Sequence, residues 1–343
     1  MGGEGGHARR RLSVTPTDAE REVLAIMTTG FELGREVAED GRFVRQTSAF
    51  RRWVTSDGSP QFPVELGRYH LYVCLACPWS HRAVIGRRLK GLEEAISISY
   101  ADPYRDERGW AFSGGEFRDE INGFAFLKEA YTATDPSFDG RVTVPVLWDK
   151  RTGQIVSNES GDILRMLCGA FDAWAKESFD LYPQALRAEI DALNQLVYDN
   201  VSNGVYKAGF ARSQRAYEVA YEQLFATLDE LEHRLSASRY LVGDAPTEAD
   251  WRLFPTLVRF DAVYYVHFKC NRRRLVDYPN LWAYTRDLYQ QPGIAETVAM
   301  DQIKRHYYTT HDFLNPSRII PVGPEIDFLQ PHDRAGWAAS YGV

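Results

Sequence analysis

The most constraining feature of the sequence is an apolar run that ends at a cysteine followed by a proline, Cys77-Pro78. Residues 71–76 are all apolar, which is typical of a buried strand. Proline suits the first position of a helix, because its missing N–H would have no partner there and its fixed φ is already helical. The sequence therefore predicts a strand that passes directly into a helix, with Cys77 as the N-cap residue.

The N-cap position would make the Cys77 sulfur reactive. The first backbone N–H groups of a helix have no partner within it, and this end of the helix carries a partial positive charge. Both features favour a thiolate over a thiol, and a thiolate is the attacking form of cysteine. The alternative is a buried structural cysteine at the end of a strand, a common environment for a free cysteine.

Cys74 and Cys77 together form a C-x-x-C pair, which raises the possibility of a dithiol redox centre. In dithiol enzymes the attacking cysteine is the first of the pair and lies at the helix start, while the resolving cysteine lies one turn inside. Here Ser80 stands at that inner position. We therefore expect Cys77 to act as a single nucleophile and Cys74 to fill the strand, with a resolving role for Cys74 as the alternative.

The surrounding pattern predicts an α/β thioredoxin-like N-terminal domain over residues 61–168. A strand, a helix and a second strand imply a right-handed crossover and a parallel pair, and a hairpin followed by a helix completes the domain. A long irregular insertion at 102–140 interrupts it, as functional segments often do. The predicted strands are 68–75, 96–100, 144–148 and 154–157, and the predicted helices are 78–90 and a stretch from Glu159 or Ser160 to Leu167.

The second half of the chain has helical periodicity, which predicts an all-α helical C-terminal domain over residues 184–300. Leucines recur at spacings of three and four, as at Leu224, Leu228 and Leu231. A capping box, a threonine followed three residues later by an acidic residue, predicts one helix start at Thr247.

The two ends of the chain are predicted to differ from these domains. Residues 1–60 are polar and irregular apart from a possible short helix at 19–27, and are expected to drape over a later domain or to be partly disordered. Residues 301–343 are expected to form a polar tail.

Composition excludes several classes of function. A formal net charge of -7 argues against nucleic acid as a partner. The four cysteines are too few for a disulfide scaffold and fit a reducing compartment. Neither a secretory signal nor a membrane-spanning stretch is recognisable, so a cytoplasmic protein without membrane contact is expected. His267 and Cys270 lack a second pair of ligands, so no metal site is predicted.

Two further segments are candidates for binding a peptide-like ligand. Val144-Pro145 precedes a strand, and a cis proline there would expose the preceding backbone for pairing with a peptide; an ordinary edge-strand proline is the alternative. Glu159 and Ser160 lie at a predicted helix start, where free N–H groups and the serine hydroxyl suit a carboxylate and the glutamate suits an ammonium group. The alternative for Ser160 is a simple N-cap.

The chain resembles glutathione transferases, and more narrowly the Xi class, the glutathionyl-hydroquinone reductases. The resemblance covers about residues 51–323 and implies the two domains described above and a homodimer built from the helical domains. The motifs that carry it are Cys77-Pro78-Trp79-Ser80-His81-Arg82, Gly109-Trp110, Arg141-Val142-Thr143-Val144-Pro145-Val146-Leu147-Trp148, Val156-Ser157-Asn158-Glu159-Ser160, Asn203-Gly204-Val205-Tyr206-Lys207-Ala208-Gly209-Phe210 and His306-Tyr307.

The resemblance implies glutathione as the co-substrate and no metal. Cys77 would attack the sulfur of a glutathionyl-hydroquinone, release the hydroquinone and remain linked to glutathione, and a second glutathione would then leave as oxidised glutathione. Tyr206 and Tyr307 match the substrate-site tyrosines of the family, and Tyr308 is a further candidate. The residues assigned to glutathione are Trp110, which packs on it, Arg141, which reaches its glycyl carboxylate, and Val144, Pro145, Glu159 and Ser160.

Two other functions fit the same cysteine or the same fold. An omega-type thiol transferase or dehydroascorbate reductase would use Cys77 on a hydrophilic substrate, whereas the aromatic Tyr206 and Tyr307 favour a phenolic ring. A non-catalytic binding protein on a transferase fold would not need a reactive cysteine at residue 77.

Overall fold

The computed structural model describes residues 36–56 and 61–336. The predicted helix at 19–27 lies outside the described residues. The strands are β1 (Tyr69–Val73), β2 (Ser97–Tyr100), β3 (Val146–Asp149) and β4 (Gln154–Ser157), and the helices are α1 (Pro78–Leu89), α2 (Lys128–Thr134), α3 (Ser160–Leu167), α4 (Arg187–Val197), α5 (Gly204–Gly209), α6 (Gln214–Leu235), α7 (Glu248–Leu257), α8 (Pro279–Tyr289) and α9 (Met300–Thr310).

The described strands form one mixed sheet in the order β2-β1-β3-β4. β1 runs parallel to β2, with Leu71 opposite Ile98, and antiparallel to β3, with Leu71 opposite Leu147. β3 and β4 form the predicted hairpin. This is the predicted thioredoxin-like arrangement, with α1 as the crossover between the two parallel strands.

The central strand β1 is buried on both faces, because a different hydrophobic cluster covers each of them. Leu71 and Val73 belong to the larger core, which continues into the helical domain. Tyr72 belongs to a smaller cluster on the opposite face, which includes Cys74 and Cys77. The strand that leads to Cys77 is therefore held in place by packing on both sides.

The helical domain packs directly on the thioredoxin-like domain. α1 lies against α3 and α7, and α5 lies against α6. The predicted capping box at Thr247 is present, with the Asp250 carboxylate accepting from the Thr247 backbone N–H at 2.7 Å. A π-helical turn, Phe260–Tyr264, follows α7 and turns Tyr264 into the core.

The described part of the N-terminal extension lies on the edge of the sheet. Arg51 forms a bridge with Ser157 of β4, and the Arg52 N–H donates to the Val156 carbonyl at 3.0 Å. The Phe50 N–H donates to the Asn158 side chain at 3.0 Å. Residues 36–56 are thus brought over the start of α3, where two of the predicted ligand-binding residues lie.

The start of the expected polar tail is a helix, α9, rather than an irregular segment. Its buried face carries Ile303, His306, Tyr307 and Thr310. Three of these residues have polar atoms, so a hydrophobic-periodicity argument counts them as surface residues. In the described part of the chain, no helix has both the length and the apolar character needed to cross a bilayer.

The ion pair between Arg68 and Asp149 provides a test of the fold. Two hydrogen bonds of 2.8 and 2.6 Å join the guanidinium to the carboxylate, and the side chains are 6% and 0% exposed. Burial alone raises the pKa of the Asp149 carboxyl, but hydrogen bonds from Arg68 and Thr152 outweigh this effect and hold it below its usual value.

We expect Asp149→Ala to lower the free energy of unfolding by about 3 kcal/mol, because it removes two hydrogen bonds from a buried guanidinium and leaves it with Glu65 as its only carboxylate partner among the described residues. A carboxyl whose pKa is lowered by folding stabilises the protein above its unfolded-state pKa of about 4, and this contribution is lost as the pH falls further. Urea unfolding at pH 7 and at decreasing pH measures both effects. Glu120→Ala, in an exposed pair with Arg118 at 3.6 Å, is the control and should leave stability nearly unchanged. An equal loss in both variants would contradict the argument.

Candidate active site

Cys77 lies between β1 and α1, as the sequence predicts. It is the N-cap residue, with extended backbone angles of φ -79° and ψ 124°, and Pro78 is the first helical residue. Among the described residues, the Cys77 sulfur receives no capping hydrogen bond from the helix, and it lies 3.7 Å from the Val144 carbonyl oxygen. Cys77 is only 7% exposed, and it lines the cavity described below.

The segment facing Cys77 contains the predicted cis peptide between Val144 and Pro145. Two buried side chains support it from behind. The Tyr131 hydroxyl donates to the Thr143 carbonyl at 2.8 Å, and the Asn158 amide donates to the Tyr131 hydroxyl at 3.1 Å. The Val144 backbone is therefore held at the edge of the site, beside the sulfur.

The strand-to-helix corner is fixed from the helical domain by Arg259. Its fully buried guanidinium donates to the Leu75 carbonyl at 2.8 Å and to the Ala76 carbonyl at 3.1 Å, the two residues before Cys77. It also donates to His81 Nδ1 at 3.0 Å. Burial, followed by the charge of Arg259, lowers the pKa of His81 far below its ordinary value. His81 is thus neutral, and its Nε2–H donates to the Thr297 hydroxyl at 2.7 Å.

A cluster of three tyrosines lies in the helical domain beside the Cys77 cavity. The hydroxyl oxygens of Tyr206 and Tyr307 are 2.5 Å apart, and those of Tyr264 and Tyr307 are 3.0 Å apart. All three side chains are buried. Burial raises the pKa of Tyr206 above its ordinary value, and that of Tyr264 and Tyr307 well above it. The cluster therefore keeps its protons at neutral pH and can donate them.

The cavity over Cys77 is lined by Tyr206 and Tyr307 and by several nitrogen-bearing side chains. Trp110 stacks on His306 with ring centroids 5.1 Å apart. Burial lowers the pKa of His306 to about 3, so the ring is neutral and its Nδ1–H donates to the Pro103 carbonyl at 2.8 Å. Among the described residues, the lining includes no aspartate or glutamate. Its members are Arg45, Cys77, Pro78, Trp79, Arg105, Trp110, Arg141, Val142, Thr143, Val144, Tyr206, Phe210, His306, Tyr307 and His311.

A second and wider groove of about 360 Å³ adjoins this cavity, and the two share Val144 and Arg141. Pro145, Glu159 and Ser160 line the groove from one side. The side chain of Glu159, rather than that of Ser160, caps α3, because it accepts from the Gly161 N–H at 3.1 Å.

The N-terminal extension forms the other side of the groove. The Ser48 hydroxyl donates to the Glu159 carboxylate at 2.8 Å, and the Arg141 guanidinium is paired with the fully buried Glu36. Two residues predicted to bind a charged ligand are therefore already in contact with the extension.

Comparison with known proteins identifies the family. Models of the glutathione S-transferase N-terminal and C-terminal domains match residues 76–170 and 209–287. Glutathionyl-hydroquinone reductase YqjG of Escherichia coli is 52% identical over 303 residues, which are 86% of this chain and 92% of YqjG. Glutathionyl-hydroquinone reductase PcpF of Sphingobium chlorophenolicum is 50% identical over 286 residues, 83% of this chain and 90% of PcpF.

Comparison with solved structures identifies the class within this family. The glutathione-bound structure of YqjG aligns with a TM-score of 0.81 over 83% of this chain and 96% of that one. The Xi glutathione transferase of Phanerochaete chrysosporium, 47% identical, aligns with a TM-score of 0.82 over 86% of this chain and 96% of that one. This chain is a Xi-class glutathione transferase.

The fold brings most of the predicted site residues of this Xi-class transferase together. Cys77, Trp110, Tyr206 and Tyr307 line the cavity, Pro145, Glu159 and Ser160 line the groove, and Arg141 and Val144 line both. Trp110 faces the cavity with Cys77. Tyr308 lies elsewhere, because its hydroxyl donates to the Ala262 carbonyl at 3.1 Å and its ring lines a separate cavity with Ile326.

Sequence reasoning assigned neither Tyr264 nor Arg45 to the site. Tyr264 continues the spacing of Leu257 and Phe260, so the sequence pattern marks it only as a core residue. Arg45 comes from the N-terminal extension, and its sequence surroundings carry no periodic or motif signal. Its guanidinium carbon lies 4.7 Å from the ring centroid of Tyr206, a contact that only the tertiary structure reveals.

The four cysteines of this Xi-class transferase should differ in reactivity. Burial raises the pKa of Cys74 to about 12 and raises those of Cys168 and Cys270 further. We expect iodoacetamide at neutral pH to label Cys77 at least about tenfold faster than the other three, since the thiolate is the reacting form. Peptide mass mapping of the folded protein over time checks this order, and labelling in urea should remove it. Fast labelling of Cys74 would instead support a dithiol role.

Proposed function

We propose that this protein reduces glutathionyl-hydroquinones to hydroquinones with glutathione, through a disulfide between Cys77 and glutathione. The observation that carries the proposal is the pair of protonated tyrosines, Tyr206 and Tyr307, in the same cavity as an N-cap cysteine. The names of the relatives YqjG and PcpF support the same substrate class.

In the first step the glutathionyl group moves from the ring carbon of the substrate to the sulfur of Cys77. The Cys77 thiolate attacks the sulfur of the glutathionyl group, an S–S bond forms, and the bond between sulfur and the ring carbon breaks. In the keto tautomer of the substrate the electron pair moves into the adjacent carbonyl, so a phenolate is released. Protonation of that oxygen completes the hydroquinone. The two sulfurs are oxidised to a disulfide, and the ring carbon is reduced.

The second step restores the enzyme. The thiolate of a second glutathione attacks the glutathione sulfur of the mixed disulfide, and Cys77 leaves as a thiolate. Oxidised glutathione departs. No further oxidant or reductant enters the cycle, because two glutathione sulfurs supply the two electrons that the ring carbon gains.

The groove beside the cavity suits glutathione. The exposed backbone at Val144 can pair with the cysteinyl peptide unit and so place its sulfur next to Cys77. Ser160 lies at the N-terminus of α3, where free N–H groups favour a carboxylate, and Glu159 offers a carboxylate for the ammonium group. Arg141 is the cation for the glycyl carboxylate, and it would then share its guanidinium between that carboxylate and Glu36.

Tyr206 and Tyr307 suit a phenolic substrate. Because burial keeps both hydroxyls protonated, they can donate to the ring oxygens of the substrate and favour the keto tautomer that cleaves. An omega-type thiol transferase acting on small disulfides would have no need of them. We also propose that the enzyme is a cytoplasmic homodimer joined through the helical domains.

The direct test of the proposal is hydroquinone release. Purified protein with glutathione and a glutathionyl-hydroquinone should form one hydroquinone and one oxidised glutathione per turnover. Cys77→Ser should abolish this activity, whereas Cys74→Ser, Cys168→Ser and Cys270→Ser should keep most of it. Turnover by Cys77→Ser would contradict the mechanism, and absence of turnover in the wild type would contradict the function.

The tyrosines distinguish hydroquinone reduction from general thiol transfer. Tyr206→Phe and Tyr307→Phe should each lower glutathionyl-hydroquinone turnover by about tenfold to a thousandfold, the range for loss of a positioned donor. Exchange with a small disulfide should change little, because its leaving group is sulfur and needs no proton delivered to carbon or oxygen. The ratio of the two rates measured on one preparation does not depend on the fraction of active protein.

Tyr308→Phe is the matched control, because it removes a tyrosine hydroxyl from the same helix but from a different cavity. It should behave as wild type with both substrates. A parallel loss of both activities in the Tyr206 and Tyr307 variants would mean that these tyrosines bind glutathione or stabilise the fold.

A further inference from the structure

Arg45 occupies the junction between the glutathione groove and the cavity over Cys77, and it lines both. Its guanidinium carbon lies 4.7 Å from the Tyr206 ring centroid and 5.0 Å from that of Trp79. Its Nε–H donates to the Asn203 side chain at 2.8 Å. Asn203 immediately precedes α5, the helix that carries Tyr206, so Arg45 and Tyr206 are positioned by the same short segment.

One end of the Arg45 guanidinium has no acceptor from the described residues. Nη2 is buried and makes no hydrogen bond there, and no described carboxylate lies within 4.0 Å of the side chain. Arg141 in the same cavity differs, because Glu36 neutralises it. Buried polar groups are nearly always paired, so an unpaired cationic N–H at a site boundary indicates an acceptor that arrives with the ligand.

The reaction creates such an acceptor. When the bond between sulfur and the ring carbon breaks, the electron pair moves to a ring oxygen, which becomes a phenolate. Tyr206 and Tyr307 are neutral, so they can donate to this oxygen but cannot balance its charge. A cation in a cavity lined by no described carboxylate can balance it, and electrostatic stabilisation of developing charge is usually the largest catalytic effect.

We propose that Arg45 is a catalytic residue whose Nη2 donates to the ring oxygen that receives the electron pair as hydroquinone leaves. The inference rests on the proposed function, since it concerns the same substrate at the same site. In this scheme Tyr206 and Tyr307 supply protons and Arg45 supplies the charge. The N-terminal extension is then part of the active site and not only a cover over the groove.

The experiment compares Arg45→Gln, Arg45→Lys and wild type on a series of glutathionyl-hydroquinones whose ring substituents, from methyl to chloro, change the acidity of the phenol. A small hydroxyalkyl disulfide is the reference substrate, and its turnover also reports that each variant is folded. Arg212→Gln is the matched control, because Arg212 stacks on Phe313 at 4.6 Å but does not line the cavity.

We expect Arg45→Gln to lower kcat with hydroquinone substrates by about a hundredfold, with little change in the KM for glutathione. Its rates should also depend more steeply on phenol acidity than those of wild type, because the leaving oxygen has lost its counter-charge. Arg45→Lys keeps a charge and should recover much of the rate and the shallower dependence. Disulfide exchange should stay within about threefold of wild type in every variant, well below the loss expected for the hydroquinones.

Two results would overturn the inference about Arg45. Equal losses with hydroquinone and disulfide substrates would mean that Arg45 holds glutathione or supports Tyr206 by stacking, and an unchanged dependence on phenol acidity in Arg45→Gln would mean that its charge does not meet the leaving oxygen. Failure of the proposed function has a different signature, because the wild type itself would then release no hydroquinone while disulfide exchange continued.

Discussion

The site depends on the buried guanidinium of Arg259. This one side chain, from the segment after α7, donates to the two carbonyls that precede Cys77 and to His81 in the helix that follows it. Backbone carbonyls at a strand end cannot be left buried without a donor. The reactive corner of the thioredoxin-like domain is therefore completed only when the helical domain packs on it, and the same packing brings the tyrosines to the sulfur.

The two domains contribute different residues to the site. The thioredoxin-like domain supplies Cys77, the proposed nucleophile, and the backbone edge at Val144. The helical domain supplies Tyr206, Tyr264 and Tyr307 from three separate helical segments. The Tyr307 hydroxyl lies 2.5 Å from that of Tyr206 and 3.0 Å from that of Tyr264. A glutathione-dependent reaction at sulfur needs only the first set. In the proposed mechanism a reaction that expels an aromatic carbon uses both sets, which ties that substrate class to the relative placement of the domains.

The same division decides what the sequence could predict. Cys77 as an N-cap and the capping box at Thr247 were predictable, because each depends on residues close together in sequence. The cis peptide before Pro145 was expected from its place before a strand of a thioredoxin-like domain, with an ordinary edge-strand proline as the alternative, and it is present. Tyr264 and Arg45 were not predictable, because their roles come from side chains far along the chain. Helix α9 was also missed, because its buried face carries histidine and tyrosine, which have polar atoms and give no clear hydrophobic periodicity. Tyr308, the further candidate next to Tyr307, lines another cavity.

The charges at the site form a consistent pattern. Burial keeps His306 and His311 neutral by lowering their pKa values, and it keeps the tyrosines neutral by raising theirs. The titratable rings therefore hold fixed protonation states at neutral pH, and the charge of the cavity comes from arginine. In the proposed reaction this cavity receives an anion, the phenolate produced when Cys77 takes the glutathionyl sulfur, and the neutral hydroxyls of Tyr206 and Tyr307 donate to that oxygen as it becomes hydroquinone.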